Sequence, residues 1–133
     1  MLNIVLAFGS IALTLAFAAL TMLVIRMPIF QKNPIIKKIS QLLMRYHKYI
    51  GGGALLFATL HGAGMLYLFR EKINQNFIWA GVGALILFWI AVGMAFTMKR
   101  IQPEKKMTFM KYHKIFAVIM IAAALLHISL LPN

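Results

Sequence analysis

Polar and apolar positions do not alternate along this chain; they come in blocks. Uncharged, strongly apolar stretches run from Met1 to Ile25, Tyr49 to Phe69, Ile73 to Met98 and Ile115 to Asn133. Each is close to or above the roughly 20 residues a helix needs to cross the hydrocarbon of a bilayer. Inside lipid the backbone must satisfy its own hydrogen bonds, so stretches of this length are expected to be helices. No ten-residue segment of alternating hydrophobicity is present, which argues against a barrel. The pattern predicts a single all-α domain over residues 1–133, an integral membrane four-helix bundle with spans at about 2–25, 46–69, 75–98 and 110–131. The first stretch opens MLNIVLAFGS with no positive leader and outruns the apolar core of a signal peptide, so it predicts a retained span.

Composition strengthens this picture. The 133 residues are 62% hydrophobic, with a mean hydropathy of +0.86. A soluble domain of this size could not hide so much apolar surface. Cysteine is absent, which excludes disulfides, thiolate metal sites and iron–sulfur ligation. Fourteen basic residues face only two acidic ones, Glu71 and Glu104, for a net charge of +12. In a soluble protein that balance would suggest nucleic acid. Here the basic residues sit in short segments between apolar blocks, so they report topology and no nucleic-acid partner is expected.

The connections differ in charge. The first carries Arg26, Lys32, Lys37, Lys38, Arg45 and Lys48, and the third Lys99, Arg100, Lys105, Lys106, Lys111 and Lys114. The second has only Arg70 and Lys72, beside Glu71. The positive-inside rule then predicts a multi-pass protein of the cell (inner) membrane, with connections one and three in the cytoplasm and both termini outside. Pro28, Pro34 and Pro103 are expected to break helices within the basic connections. Ile35 to Met44 reads either as an interfacial amphipathic lead into span two or as a plain extension of it.

The chain also repeats itself. Arg45-Tyr46-His47-Lys48 recurs as Lys111-Tyr112-His113-Lys114, and each copy reaches a second histidine fourteen residues on, His61 and His127. Spans two and four are therefore sister helices, and they hold all four histidines of the chain. Fourteen helical steps return to within about 40° of the start and rise about 21 Å. Each pair thus shares a helix face, yet its members are too far apart to share a metal. Spans two and four run the same way through the bilayer, so the expected partners are His47 with His113 and His61 with His127.

Two imidazoles across a gap suit few ligands. Tetrahedral zinc wants four protein ligands or nearly so, and no Cys, no Asp and no Glu within a span is on offer. Haem needs only two axial ligands, because the porphyrin supplies the rest, and imidazole is an established one. The positions between the histidines on the shared faces are Gly51, Ala54 and Ala58 on span two, and Ala117, Met120 and Ala124 on span four. Small side chains there leave room for a flat macrocycle, although a Gly/Ala face also serves plain helix packing. Arg45, Lys48, Lys111 and Lys114 flank the inner pair and are suited to propionates. The expectation is two b-type haems between spans two and four, with the four histidines as iron ligands and Gly51, Ala54, Ala58, Ala117, Ala124, Arg45 and Lys48 around them.

RYHKYIGGGALLFATLHGAGMLYL and KYHKIFAVIMIAAALLHISL resemble the two His-bearing helices of the ferric reductase-like transmembrane domain family. The likeness covers most of the chain, and its specific part is the histidine pairs. It implies two stacked haems and electron transfer across a membrane. Well-known members carry a cytosolic flavin and nicotinamide domain, which this sequence does not include. The same arrangement resembles the cytochrome b core of quinol-oxidising complexes. Three functions follow as expectations. The first is a cytochrome b subunit of a redox complex, whose basic cytoplasmic face suits an acidic flavoprotein or iron–sulfur protein, or else anionic lipid. The second is a stand-alone membrane oxidoreductase that oxidises quinol or reduces ferric iron or oxygen, with quinone as a further ligand. The third is a haem-free membrane scaffold.

Aromatic residues complete the reading. Trp89 falls mid-span, where it is expected to pack in the core or between the cofactors. Tyr46, Tyr49 and Tyr112 fit the inner interface, and Tyr67 and Trp79 the outer one. Ten methionines are scattered without a copper motif and read as flexible apolar filler.

Overall fold

A computed structural model describes the chain except Ile73, Asn74 and Leu131 to Asn133, together with the side chains of Leu23, Gln31, Lys72 and Lys99. The start of the third apolar stretch and the last residue of span four therefore lie outside the described residues. The described residues form five α-helices: α1 (Leu2–Ile25), α2 (Pro28–Gln31), α3 (Pro34–Leu68), α4 (Asn76–Thr97) and α5 (Pro103–Ser129). Short 3₁₀ turns, Arg70–Lys72 and Met98–Arg100, finish α3 and α4, and there is no strand among the described residues. Four helices, α1, α3, α4 and α5, are long and apolar enough to cross a membrane.

The prolines behave differently from the sequence expectation. Pro28, Pro34 and Pro103 each stand in the first turn of a helix. A first-turn residue has no intrahelical partner for its N–H, and proline's fixed φ already matches the helix. They therefore start helices and do not interrupt them. Asn33 completes the start of α3, accepting from the Ile35 N–H at 2.9 Å and the Ile36 N–H at 3.4 Å. Ile35 to Met44 consequently belongs to one 35-residue helix, the plain-extension alternative. At 1.5 Å per residue that helix is about 52 Å long, well beyond a hydrocarbon core of about 30 Å. Its basic N-terminal end projects past the apolar layer.

Packing follows the repeat. α1 lies along α3, α4 lies along α5, α3 meets α4, and α1 touches α5 more lightly. The helices thus form a ring in the order α1, α3, α4, α5. The two histidine-bearing helices, α3 and α5, stand on one diagonal and face each other across the bundle axis. The described residues form two helical hairpins, α1–α3 and α4–α5, packed against each other.

The core is small and layered. At mid-height Ala16, Ala54, Leu55, Phe88, Met120 and Ile121 pack together, and Ala54 is 0% exposed. Nearer the end that holds the α3–α4 connection, Val5, Met65, Phe77 and Ile78 form a second cluster. Outward faces are apolar: Phe96 is 70% exposed, and Leu56, Ile86 and Val118 are also exposed. A surface of this kind is stable against lipid chains and costly in water.

Trp89 lies on that outward face, 55% exposed. It packs neither in the core nor between the histidine levels, because at about 100° per residue the side chain next to inward-facing Phe88 leaves the bundle axis. Tyr46, Tyr49, Tyr67, Trp79 and Tyr112 are all exposed.

Candidate functional site

The four histidines meet in the two expected pairs. His47 and His113 have ring centroids 6.3 Å apart with planes at 88°. His61 and His127 are 6.2 Å apart at 75°. The near-identity of the two separations follows from the repeat: the same spacing on two parallel helices gives the same gap at both levels. Ala54 and Met120 are the midpoints between the levels on α3 and α5, and both are buried in the central cluster with Phe88.

Side helices fix the rings. His61 Nδ1 lies 2.8 Å from the Val5 carbonyl oxygen on α1. His127 Nδ1 lies 2.7 Å from the Phe77 carbonyl oxygen on α4. His113 Nδ1 lies 2.9 Å from the Ala91 carbonyl oxygen, also on α4. A carbonyl has no proton to give, so each of these rings donates from Nδ1, and in the neutral ring the lone pair is then at Nε2. His47 differs: its Nδ1 is buried and has no hydrogen-bond partner among the described residues.

Glycine makes two of these contacts accessible. A Cβ on Gly9 would stand 2.8 Å from His61 Nδ1, and one on Gly81 would stand 2.9 Å from His127 Nδ1. Each glycine lies four residues after the accepting residue, Val5 or Phe77. A helical side chain leans toward the N-terminus and so covers the carbonyl of the preceding turn. Its removal opens that carbonyl to the imidazole.

A cavity of about 460 Å³ runs beside the His61/His127 pair, with wall residues from α1, α3, α4 and α5. Ala58, Met120 and Ala124 line it with both histidines, as does Phe88. Gly51, Ala54 and Ala117 lie outside its wall. Ala54 closes the α1–α3 contact, while a Cβ on Gly51 would meet nothing within 4 Å. Arg45, Lys48, Lys111 and Lys114 are exposed at the level of His47 and His113. The Lys48 ammonium stands 4.6 Å over the Tyr49 ring.

Sequence reasoning did not single out Gly9, Gly81, Phe88 or the carbonyls of Val5, Phe77 and Ala91. The available signal was a glycine in a neighbouring span at the depth of a histidine. Among the described residues no group of three or more His, Cys, Asp or Glu comes together. The site therefore offers imidazoles in twos, with lone pairs at Nε2, in an apolar interior. Comparison with protein-family models, with curated proteins and with solved structures gave no match.

Proposed function

We propose that this chain is a membrane di-haem cytochrome of b type, a subunit that carries electrons across the bilayer. The observation that carries this reading is the pair of cross-bundle imidazole gaps, 6.3 and 6.2 Å between ring centres. Two imidazoles bound to one metal from opposite sides, at about 2 Å per nitrogen with the ring centre about 1.1 Å further back, have centres about 6.2 Å apart. Histidines that ligate a metal commonly donate their other N–H to a carbonyl, which is the arrangement of His61, His113 and His127. A macrocycle would supply the ligands that a level with only two imidazoles does not. The cavity beside His61 and His127, about 460 Å³, is within the usual range for a cofactor site. The likeness of the histidine segments to the ferric reductase-like transmembrane family points the same way.

In this reading His47 and His113 hold one haem and His61 and His127 the other. Bound haem supplies one-electron exchange between ferric and ferrous iron. The chain's residues do the rest. With a histidine from α3 and one from α5 holding it, haem at either level would exchange electrons and would not bind substrate. α1 and α4 hold the imidazoles in orientation, and the apolar walls keep water away. The basic end faces the cytoplasm, by the positive-inside rule, and suits an acidic flavoprotein or iron–sulfur donor.

A reduced-minus-oxidised absorption spectrum of the purified chain, with haem counted per polypeptide, tests the reading. Six-coordinate b-type bands at two haems per chain support it. A colourless protein from haem-replete cells overturns it and leaves a basic membrane scaffold. Quinol turnover by the lone chain would make it a self-contained oxidoreductase.

A further inference from the structure

The two histidine levels have nearly the same gap between rings, 6.3 and 6.2 Å, but are held differently. At the level of His61 and His127 both rings are anchored, to the Val5 carbonyl at 2.8 Å and the Phe77 carbonyl at 2.7 Å. Both anchors use the same device, a carbonyl uncovered by a glycine four residues later, once on α1 and once on α4. At the level of His47 and His113 only His113 is anchored, and the buried Nδ1 of His47 has no partner among the described residues.

A second difference is independent of the first. Arg45, Lys48, Lys111 and Lys114 flank the His47/His113 level. Arg26 also comes close, reaching Met44 Sδ at 3.9 Å one turn before His47. The opposite end has Arg70 and Lys72 with Glu71 between them.

Both differences bias an iron in the same direction. An imidazole that donates from Nδ1 to a carbonyl is a more basic ligand at Nε2 and favours the ferric state. Cations nearby disfavour the ferric state, which carries one more positive charge than the ferrous. Building on the di-haem reading, we infer that Gly9 and Gly81 are positioning residues that make His61/His127 the low-potential site, and that His47/His113 is the high-potential site at the basic end. One electron reduces one ferric iron at each site. The reduction equilibrium favours the basic-end site at least tenfold, which for one electron is about 59 mV.

Redox potentiometry of the full purified chain, with dithionite as reductant and ferricyanide as oxidant, tests this. Two components are expected. His113→Ala removes the high-potential component, and His127→Ala the low-potential one. Gly9→Ala and Gly81→Ala are a separate check that leaves every ligand in place. Each pushes a ring off its carbonyl, so the low-potential component shifts upward while two haems per chain and the other component are retained. Coincident midpoints, a low-potential component that belongs to His47/His113, or glycine variants that move neither component would overturn the inference while leaving the di-haem reading standing. A protein with no haem removes that reading and the inference with it.

Discussion

The ends of this bundle are a controlled comparison set up by the chain itself. A basic-Tyr-His-Lys segment with a second histidine fourteen residues on occurs in both α3 and α5, so both levels present imidazoles at nearly the same separation. What differs is the surrounding frame. At the His61/His127 level the neighbouring helices approach closely through glycine, the local core is a cluster of Val5, Met65, Phe77 and Ile78, and every Nδ1 has an acceptor. At the His47/His113 level cations crowd the helix ends, and one Nδ1 has no acceptor among the described residues. Ligand identity sets where a cofactor can sit; the carbonyls and charges around the ligands set how tightly and at what energy.

The largest effect expected is on the ligands. Replacing both His47 and His61 with alanine should abolish haem, while either change alone should halve haem per chain, as read by a pyridine haemochrome assay. Full haem in either single variant, or none, would break the pairing. A size series sharpens the comparison next. Gly81→Leu should empty the His61/His127 level, because its Cβ already falls 2.9 Å from the ring and longer atoms cannot be fitted. Gly51→Ala, whose Cβ meets nothing within 4 Å, should leave both levels loaded. Loss of haem from the second variant alone would reverse the contrast drawn here.

Phe88 lies between the levels and tests whether they are mechanically separate. Phe88→Ala should cost about 3–5 kcal/mol of stability, seen as a lower midpoint for thermal unfolding in detergent. Asn33→Ala at the basic end should cost about 1 kcal/mol through the lost cap on α3. The smallest effect belongs to Trp89→Leu, which exchanges one lipid-facing apolar side chain for another and should stay within about 0.5 kcal/mol. A large loss there would mean that Trp89 is covered by a partner chain.

Four apolar helices, the sister relation of the second and fourth, and the register that brings His47 to His113 and His61 to His127 were legible in the residues; the starts of α3 and α5 at Pro34 and Pro103, well before 46 and 110, were not. The legible features follow from strong one-dimensional signals. Twenty apolar residues must be helical in lipid, and a fourteen-residue spacing must return to the same face. The prolines were legible as boundaries but not as helix starts, because the missing N–H harms an interior turn and is harmless in the first. Trp89 was misread because apolarity is no guide to the inside of a membrane protein, where both the core and the lipid face are apolar. The diagonal placement of α3 and α5, the burial of Phe88 in the central cluster, and the carbonyls that Gly9 and Gly81 uncover for two imidazoles, with none for His47 among the described residues, came from the tertiary structure. Those facts depend on how far apart and at what rotation helices distant in sequence come to rest, and a main-chain carbonyl leaves no mark in the residue code.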